Sequence, residues 1–296
     1  MGALLSKLLF QPPTPPSYGN TPNYFWLYTS RQKKIPAFHI DRGAPLTVLF
    51  SHGNAEDLGL IYDWFREYSR ALNVNVLAYD YTGYGLSMVE GERPSEADVF
   101  ADIEAAFNYL TSILDVKPGS VVLYGRSLGS GPSCHLARLQ SKRGEPVAGL
   151  ILQSPLMSAF RVAFKFRFSL PGDAFCNIDK MRDIACPVFI IHGTRDEVVP
   201  FDHGQELYLA VRKQFRYNPF WVQNAGHNNI ELLCREGDRF FHRIKSFLGF
   251  IVTRVTETKR SKSLDVPPLT NNSSSAANRT KNNGNGVSTK SNGQHS

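Results

Sequence analysis

Ser120-Val-Val-Leu-Tyr-Gly-Arg-Ser-Leu-Gly-Ser-Gly131 is the stretch whose reading decides the fold. Its apolar run, Val121 to Tyr124, ends in Gly-x-Ser-x-Gly, and a helix-capable segment begins at Leu128. Strand, tight turn, helix is the order that a nucleophile elbow requires. Bulk beside so sharp a turn would clash, and Gly125 and Gly129 remove it, leaving the Ser127 hydroxyl at the tip. The backbone N–H of Leu128, at the start of the helix, then points where an oxyanion would form.

Two downstream segments carry the same logic. Val188-Phe-Ile-Ile-His-Gly-Thr-Arg-Asp-Glu-Val-Val-Pro200 reads as a buried strand followed by a polar loop with Asp196. Phe220-Trp-Val-Gln-Asn-Ala-Gly-His-Asn-Asn229 is a shorter strand ending in a loop with His227. The order Ser, Asp, His is that of the α/β-hydrolase fold, not of the chymotrypsin or subtilisin folds. In that arrangement His227 takes the proton of Ser127 and returns it to the leaving group, while Asp196 fixes the imidazole tautomer. Upstream, Leu46-Thr-Val-Leu-Phe-Ser-His-Gly-Asn-Ala55 is a strand entering a His-Gly turn, where this fold takes its second oxyanion donor. That donor is assigned to the N–H of Asn54. His52 and His192 each precede a glycine at a strand end, and since one triad histidine suffices they are assigned hydrogen-bonding roles in the structure.

The remaining periodicities fit an α/β-hydrolase fold: a mostly parallel central sheet with helices on both faces and a short cap. Tyr24 to Tyr28 and Ile35 to Ile40 read as an opening hairpin. Leu46 to Phe50, Val74 to Tyr79, Gly149 to Gln153, Val188 to Ile191 and Phe220 to Val222 read as further strands. Leu58 to Leu72 has apolar residues at helical spacing, Ser95 with Asp98 caps a helix reaching about Leu114, and Asn229 to about Phe250 reads as one closing helix. Between Ser154 and Asp179 the alternation breaks, and a cap over about 155–180 is expected there. Its Phe160, Phe164, Phe166 and Phe168 either pack the cap onto the core or line an acyl groove and touch lipid, with Lys165 and Arg167 toward headgroups.

Charge and length narrow the classes. The chain has 296 residues and a net charge of +7. Residues 23–254 suffice for one hydrolase-sized α/β core, flanked by a membrane-proximal segment at 1–22 and a tail at 255–296. From Thr256 to Ser296 six basic residues stand against two acidic ones in a Ser/Asn-rich run expected to be disordered, so the folded part is near balance. That leaves no basic stripe for nucleic acid. Cys134, Cys176, Cys186 and Cys234 lack paired spacing, and neither a metal motif nor a nucleotide-binding loop occurs, so no metal and no cofactor are expected. Met1-Gly-Ala-Leu-Leu-Ser6-Lys7 fits the N-myristoylation pattern, which would acylate Gly2 and place the protein peripherally on the cytosolic face of a membrane.

Several pieces outside the triad carry a family resemblance. Ser51-His-Gly-Asn-Ala-Glu-Asp-Leu-Gly59, Tyr79-Asp-Tyr-Thr-Gly-Tyr-Gly85, Arg93-Pro-Ser-Glu96 and Leu123-Tyr-Gly-Arg-Ser-Leu-Gly129 come in that order. Ser154-Pro-Leu-Met-Ser158, Asp173-Ala-Phe-Cys-Asn-Ile178, Ile191-His-Gly-Thr-Arg-Asp-Glu-Val198 and Ala225-Gly-His-Asn-Asn-Ile-Glu231 follow. The set, from about Leu8 to Phe250, resembles the alpha/beta hydrolase domain-containing 17-type serine hydrolases. The resemblance implies a membrane-associated acyl-protein thioesterase that removes palmitate from S-acylated membrane proteins, with Ser127 as nucleophile, Asp196 as acid and His227 as base. Two features depart from the family: the N-terminal cysteine cluster is absent, and Arg126 stands in the elbow where Gln is usual. A lipid or small-ester hydrolase, an aminopeptidase of the same fold, or a non-catalytic membrane-bound module are the alternatives, since fold does not set substrate.

Overall fold

The computed structural model describes residues 9–19, 23–89, 93–164, 172–234 and 238–264. Its centre is an eight-stranded sheet: β1 (Phe25–Tyr28), β2 (Lys34–Ile40), β3 (Thr47–Ser51), β4 (Asn75–Tyr79), β5 (Val121–Arg126), β6 (Gly149–Gln153), β7 (Val188–Gly193) and β8 (Phe220–Val222). The spatial order is β1-β2-β4-β3-β5-β6-β7-β8. β1 and β2 pair antiparallel, β2 joins β4 antiparallel, and every later pairing is parallel. This is the α/β-hydrolase fold.

Side chains that alternate along β3 and β5 divide the core in two. Leu49 and Leu123 face one side with Val99, Ile103, Leu136 and Leu207; Val48, Phe50 and Val122 face the other with Phe65, Tyr68 and Phe247. Burial of both faces is why these strands read as nearly unbroken apolar runs.

Helix α1 (Leu58–Leu72) buries Leu58, Ile61, Phe65, Tyr68 and Leu72. Asp57 caps its start by accepting from the Leu60 N–H at 3.3 Å, and Asn73, in the left-handed region at φ +52°, ends it. Helix α2 (Glu96–Asn108) is capped by Ser95, which accepts from the Asp98 N–H at 3.2 Å, and passes into a wider π turn over Tyr109–Ile113. Helix α3 (Ser130–Lys142) follows the elbow, and α4 (Ala159–Phe164) lies in the cap segment.

Three features differ from the sequence reading. Helix α5 (Phe201–Ala210) was not anticipated, because its buried face carries His203 and Gly204 beside Leu207 and so shows little apolar periodicity. The expected single closing helix is two, α6 (Ile230–Leu233) and α7 (Arg239–Leu264). Asp238, left-handed at φ +51°, stands immediately before α7 and cannot continue a helix. Helix α7 also runs past residue 254 to Leu264, into the stretch expected as tail. Residues 1–8, 165–171 and 265–296, which hold Gly2, Lys165, Phe166, Arg167, Phe168 and the rest of the tail, lie outside the described residues. Among the described residues, no helix is long and apolar enough to cross a membrane.

Candidate active site

Parallel register brings the ends of β3, β5 and β6 level: Ser51 lies opposite Gly125, and Arg126 opposite Gln153. Ser127, the next residue, sits at φ +51°, a left-handed conformation that an L-residue holds only under constraint. The constraint is visible in its neighbours. A Cβ on Gly125 would lie 2.4 Å from the Gly129 carbonyl oxygen, and one on Gly129 would lie 2.0 Å from that of Ser51. Bare backbone is therefore required on both sides, and it holds the elbow against the loop that follows β3.

Neighbouring β7 and β8 supply the other two groups through interlocked loops. The Thr194 N–H donates to the Val222 carbonyl at 3.0 Å and that of Arg195 to Ala225 at 2.8 Å. His227 Nε2 lies 3.0 Å from Ser127 Oγ, and His227 Nδ1 lies 2.8 and 3.0 Å from Asp196 Oδ2 and Oδ1. The sequence-derived triple thus converges at hydrogen-bonding distances. The Asp196 side chain is fully buried. Burial pushes its carboxyl upward, but hydrogen bonds from His192 and His227, the charge of His227 and the Val199 N–H outweigh it and hold the carboxyl well below the usual range. An ionised acceptor is what orients an imidazole toward a hydroxyl.

Of the two residues expected as the oxyanion pair, Leu128 directly follows Ser127 and Asn54 lies in the loop after β3. Asn54 Oδ1 accepts from Tyr84 OH at 2.7 Å and from the Gln11 N–H at 2.9 Å, while its own N–H finds no acceptor among the described residues. Leu128 lies inside a single 3-10 turn, Ser127–Gly129, at a position where N–H groups lack an intrahelical acceptor. The two remaining histidines hold loops. His52, fully buried, has Nδ1 2.7 Å from the Gly53 carbonyl and Nε2 3.4 Å from Asp80 Oδ1. Burial, the largest influence, leaves the Asp80 carboxyl above its ordinary value despite His52 and Tyr18. His192 Nε2 lies 3.0 Å from the Val199 carbonyl and 3.2 Å from Asp196 Oδ2.

Three contributions escaped the sequence reading. Glu56 forms an ion pair with Arg126, and Glu231 Oε1 stands 3.8 Å from Arg126 Nη1. A cavity of about 290 Å³ opens beside them over Phe50, Trp64 and Tyr124. The third is the segment before β1. Phe10 is buried with its ring 6.1 Å from that of Phe175, the Ser17 N–H donates to Asp57 at 2.7 Å, and Tyr18 OH bonds Asp80. A Cβ on Gly59 would strike Ser17 Oγ at 2.4 Å, and one on Gly85 would strike Tyr18 OH at 2.5 Å. Phe10 followed by a proline-rich run was the available signal for a docked strap.

Comparison with known proteins gives concordant results. The family model described as "Serine aminopeptidase, S33" matches residues 44–168. Human alpha/beta hydrolase domain-containing protein 17B is 37% identical over 278 residues, covering 84% of this chain and 91% of that protein. The 17C protein of Xenopus tropicalis is 44% identical over 208 residues, 70% of this chain and 63% of its own length. Among solved structures, an esterase of Pyrococcus furiosus superposes with a TM-score of 0.63 at 21% identity, over 81% of this chain and 98% of that one. At that identity the likeness speaks for the fold alone.

Proposed function

This chain belongs to the alpha/beta hydrolase domain-containing 17 family, and from that premise we propose that it is a serine hydrolase that cleaves fatty acyl thioesters from S-palmitoylated membrane proteins. The observation that carries the chemistry is the contact of Ser127 Oγ with His227 Nε2 at 3.0 Å, backed by Asp196 on Nδ1. Ser127 Oγ attacks the thioester carbonyl carbon while His227 Nε2 takes the hydroxyl proton. The N–H groups of Asn54 and Leu128 receive the developing oxyanion. The C–S bond then breaks, and the sulfur departs with the proton that His227 held, which returns the imidazole to its neutral form. Water, deprotonated by the same imidazole, attacks the acyl-Ser127 ester and releases the fatty acid. A thiolate needs little protonation to leave, so attack and oxyanion stabilisation carry most of the barrier.

Placement at a membrane is part of the proposal. Acylation of Gly2 supplies one weak anchor, and stable residence needs a second contact from the apolar residues that follow or from the basic tail. The cytosolic face is the compartment in which N-terminal glycine acylation and unpaired cysteines are consistent.

The description of the matching family model favours a second reading, an aminopeptidase. Such a site must hold a substrate amine on carboxylates. Glu56 and Glu231 beside the elbow already face Arg126, so a substrate amine would have to displace a guanidinium.

The deciding experiment compares hydrolysis of an S-palmitoyl peptide, the matched palmitoyl oxyester, an acetyl ester and an aminoacyl anilide by wild type and Ser127→Ala. Turnover that depends on Ser127 and favours the long thioester is expected. Turnover of the acetyl ester alone would remove the lipid substrate and keep the triad; turnover of the anilide alone would establish the second reading. No Ser127-dependent turnover at all would leave a membrane-bound binding module.

A further inference from the structure

Arg126 directly precedes Ser127 and has no part in the mechanism above. Its guanidinium pairs with Glu56, in the loop after β3, and lies 3.8 Å from Glu231, on α6. Glu56 is fastened to the loop after β3, and Glu231 stands on the helix that follows the His227 loop. Glu56 Oε2 accepts from the Gly53 N–H at 2.6 Å, so the His52–Gly53 peptide, one before the peptide that carries the Asn54 N–H, is held on the Glu56 side chain. Gly53 leaves room for this: a Cβ there would lie 2.9 Å from the same oxygen. Glu231 Oε1 accepts from Gln153 Nε2 at 2.8 Å, and Gln153 in turn takes the Tyr124 hydroxyl bond. Helix α6 begins just after the His227 loop, whose Gly226 N–H donates to Asn229 Oδ1 at 2.8 Å.

We infer that Arg126 is a positioning residue that clamps the oxyanion loop and the histidine loop to the nucleophile strand through Glu56 and Glu231. The clamp rests on the serine-hydrolase reading of Ser127, His227 and Asn54. Its planar guanidinium can engage carboxylates on two sides at once, which an ammonium or an amide cannot reproduce. The pairs are largely shielded, with side-chain exposures of 30% for Arg126, 15% for Glu56 and 27% for Glu231, so the interactions escape most of the screening of a surface bridge. A clamp of this kind acts on the spacing between Ser127 Oγ, His227 Nε2 and the Asn54 N–H, where displacements of about 1 Å cost up to about 100-fold in rate.

The test uses the full chain, assayed below the melting temperature of every variant. Two readouts are taken: phosphonylation of Ser127 by a fluorophosphonate, which displaces fluoride, and steady-state hydrolysis of an S-palmitoyl peptide. Arg126→Gln is expected to lower kcat and the phosphonylation rate about 10- to 100-fold, with KM changed less than about twofold. Arg126→Lys should recover part of the loss. Glu56→Gln/Arg126→Gln, which leaves no unpaired charge at the Glu56 position, should lose little more than either single variant, because coupled partners do not add. Arg126→Gln with kcat within about twofold of wild type, a change confined to KM, or independent multiplication of the two losses would overturn the clamp. Wild type that hydrolyses nothing and leaves Ser127 unlabelled would instead overturn the hydrolase reading, and the clamp with it.

Discussion

Nε2 of His192 lies 3.2 Å from Oδ2 of Asp196, so the Asp196 carboxylate faces a second buried imidazole besides that of His227. The same nitrogen lies 3.0 Å from the Val199 carbonyl, and the Val198 and Val199 N–H groups donate to Asp196 Oδ1 at 3.0 and 2.8 Å. A short loop is thereby wound around its own side chain. Gly204 of α5 makes room, since a Cβ there would lie 2.5 Å from His192 Nδ1.

His192→Leu removes one donor from Asp196 and leaves the Val199 carbonyl unpaired. The expected loss is about 1–3 kcal/mol of stability, with kcat reduced about 10-fold as the carboxylate loses its fixed orientation. The pH dependence follows from the lowered Asp196 carboxyl. A carboxylate held below its unfolded value stabilises the fold above the ordinary carboxylate range and loses that contribution as pH falls through the lowered value. The variant should therefore unfold in acid at a higher pH than wild type. Kinetics and acid titrations followed by circular dichroism check both parts; unchanged acid unfolding would show that His192 does not hold the carboxylate.

The elbow makes a prediction about strain. Ser127 stands at φ +51°, the conformation that sets its hydroxyl against His227 Nε2. Ser127→Ala and Ser127→Gly are both expected to abolish turnover, but only glycine relieves the left-handed backbone. Ser127→Gly should be about 1 kcal/mol more stable than Ser127→Ala by denaturant titration. Equal stabilities would mean that the elbow stores no strain.

These outcomes also explain what could be read in advance. The elbow was legible because close backbone approach at Gly125 and Gly129 forces glycine into the sequence itself. Asp196 and His227 were legible because each follows a short apolar strand, and the parallel register turns that regularity into a shared edge. The Glu56–Arg126–Glu231 cluster was not, because its members belong to a loop, a strand end and a short helix far apart in the chain, and an isolated charge has a solvated reading by default. Helix α5 was hidden for a related reason: its inner face packs His203 and Gly204 rather than a stripe of large apolar residues.

The strap before β1 ties the N-terminal segment to the oxyanion loop. The Gln11 N–H shares Asn54 Oδ1 with Tyr84 OH, and Phe10 anchors the segment against Phe175. Gln11→Pro deletes one donor and nothing else of the packing, and should lower kcat about fivefold, equivalent to ~1 kcal/mol, with little change in melting temperature. Phe10→Ala should destabilise by about 3 kcal/mol through the apolar area lost and the cavity left. Activity unchanged in Gln11→Pro would confine the strap to a packing role.

Membrane placement is tested apart from catalysis. Gly2→Ala removes the amino-terminal acceptor of a myristoyl group, and the protein should move from the membrane to the soluble fraction on cell fractionation. Hydrolysis of a short, soluble thioester should be unaffected. A single acyl chain supplies only marginal binding, about 10⁴ M⁻¹, so partial retention would reveal how much the second contact contributes. Full retention would show that acylation at Gly2 does not anchor the protein.

Asp102 carries the last prediction, because it is a buried acid that the chemistry does not use. It is fully buried on α2, and its carboxyl accepts from the Thr82 N–H at 2.7 Å and from Thr82 Oγ1 at 2.8 Å. Burial pushes its pKa up to about 8; the Thr82 hydrogen bonds offset only part of that, and nearby Asp98 adds to it. An acid raised on folding binds its proton in the native state while the unfolded chain has already lost it. Stability from this group is therefore greatest below the unfolded value of about 4 and declines as pH rises toward 8, by at most about 1.4 kcal/mol per pH unit. Asp102→Asn mimics the protonated acid, donating to Thr82 Oγ1 through its amide and accepting from the Thr82 N–H. The variant should match wild type near pH 4, exceed it increasingly as pH rises toward 8, and show a flatter stability profile over that range. Denaturant titrations at pH 4, 6 and 8 measure this directly. Parallel profiles for the two proteins would mean that Asp102 ionises in the fold as it does in water.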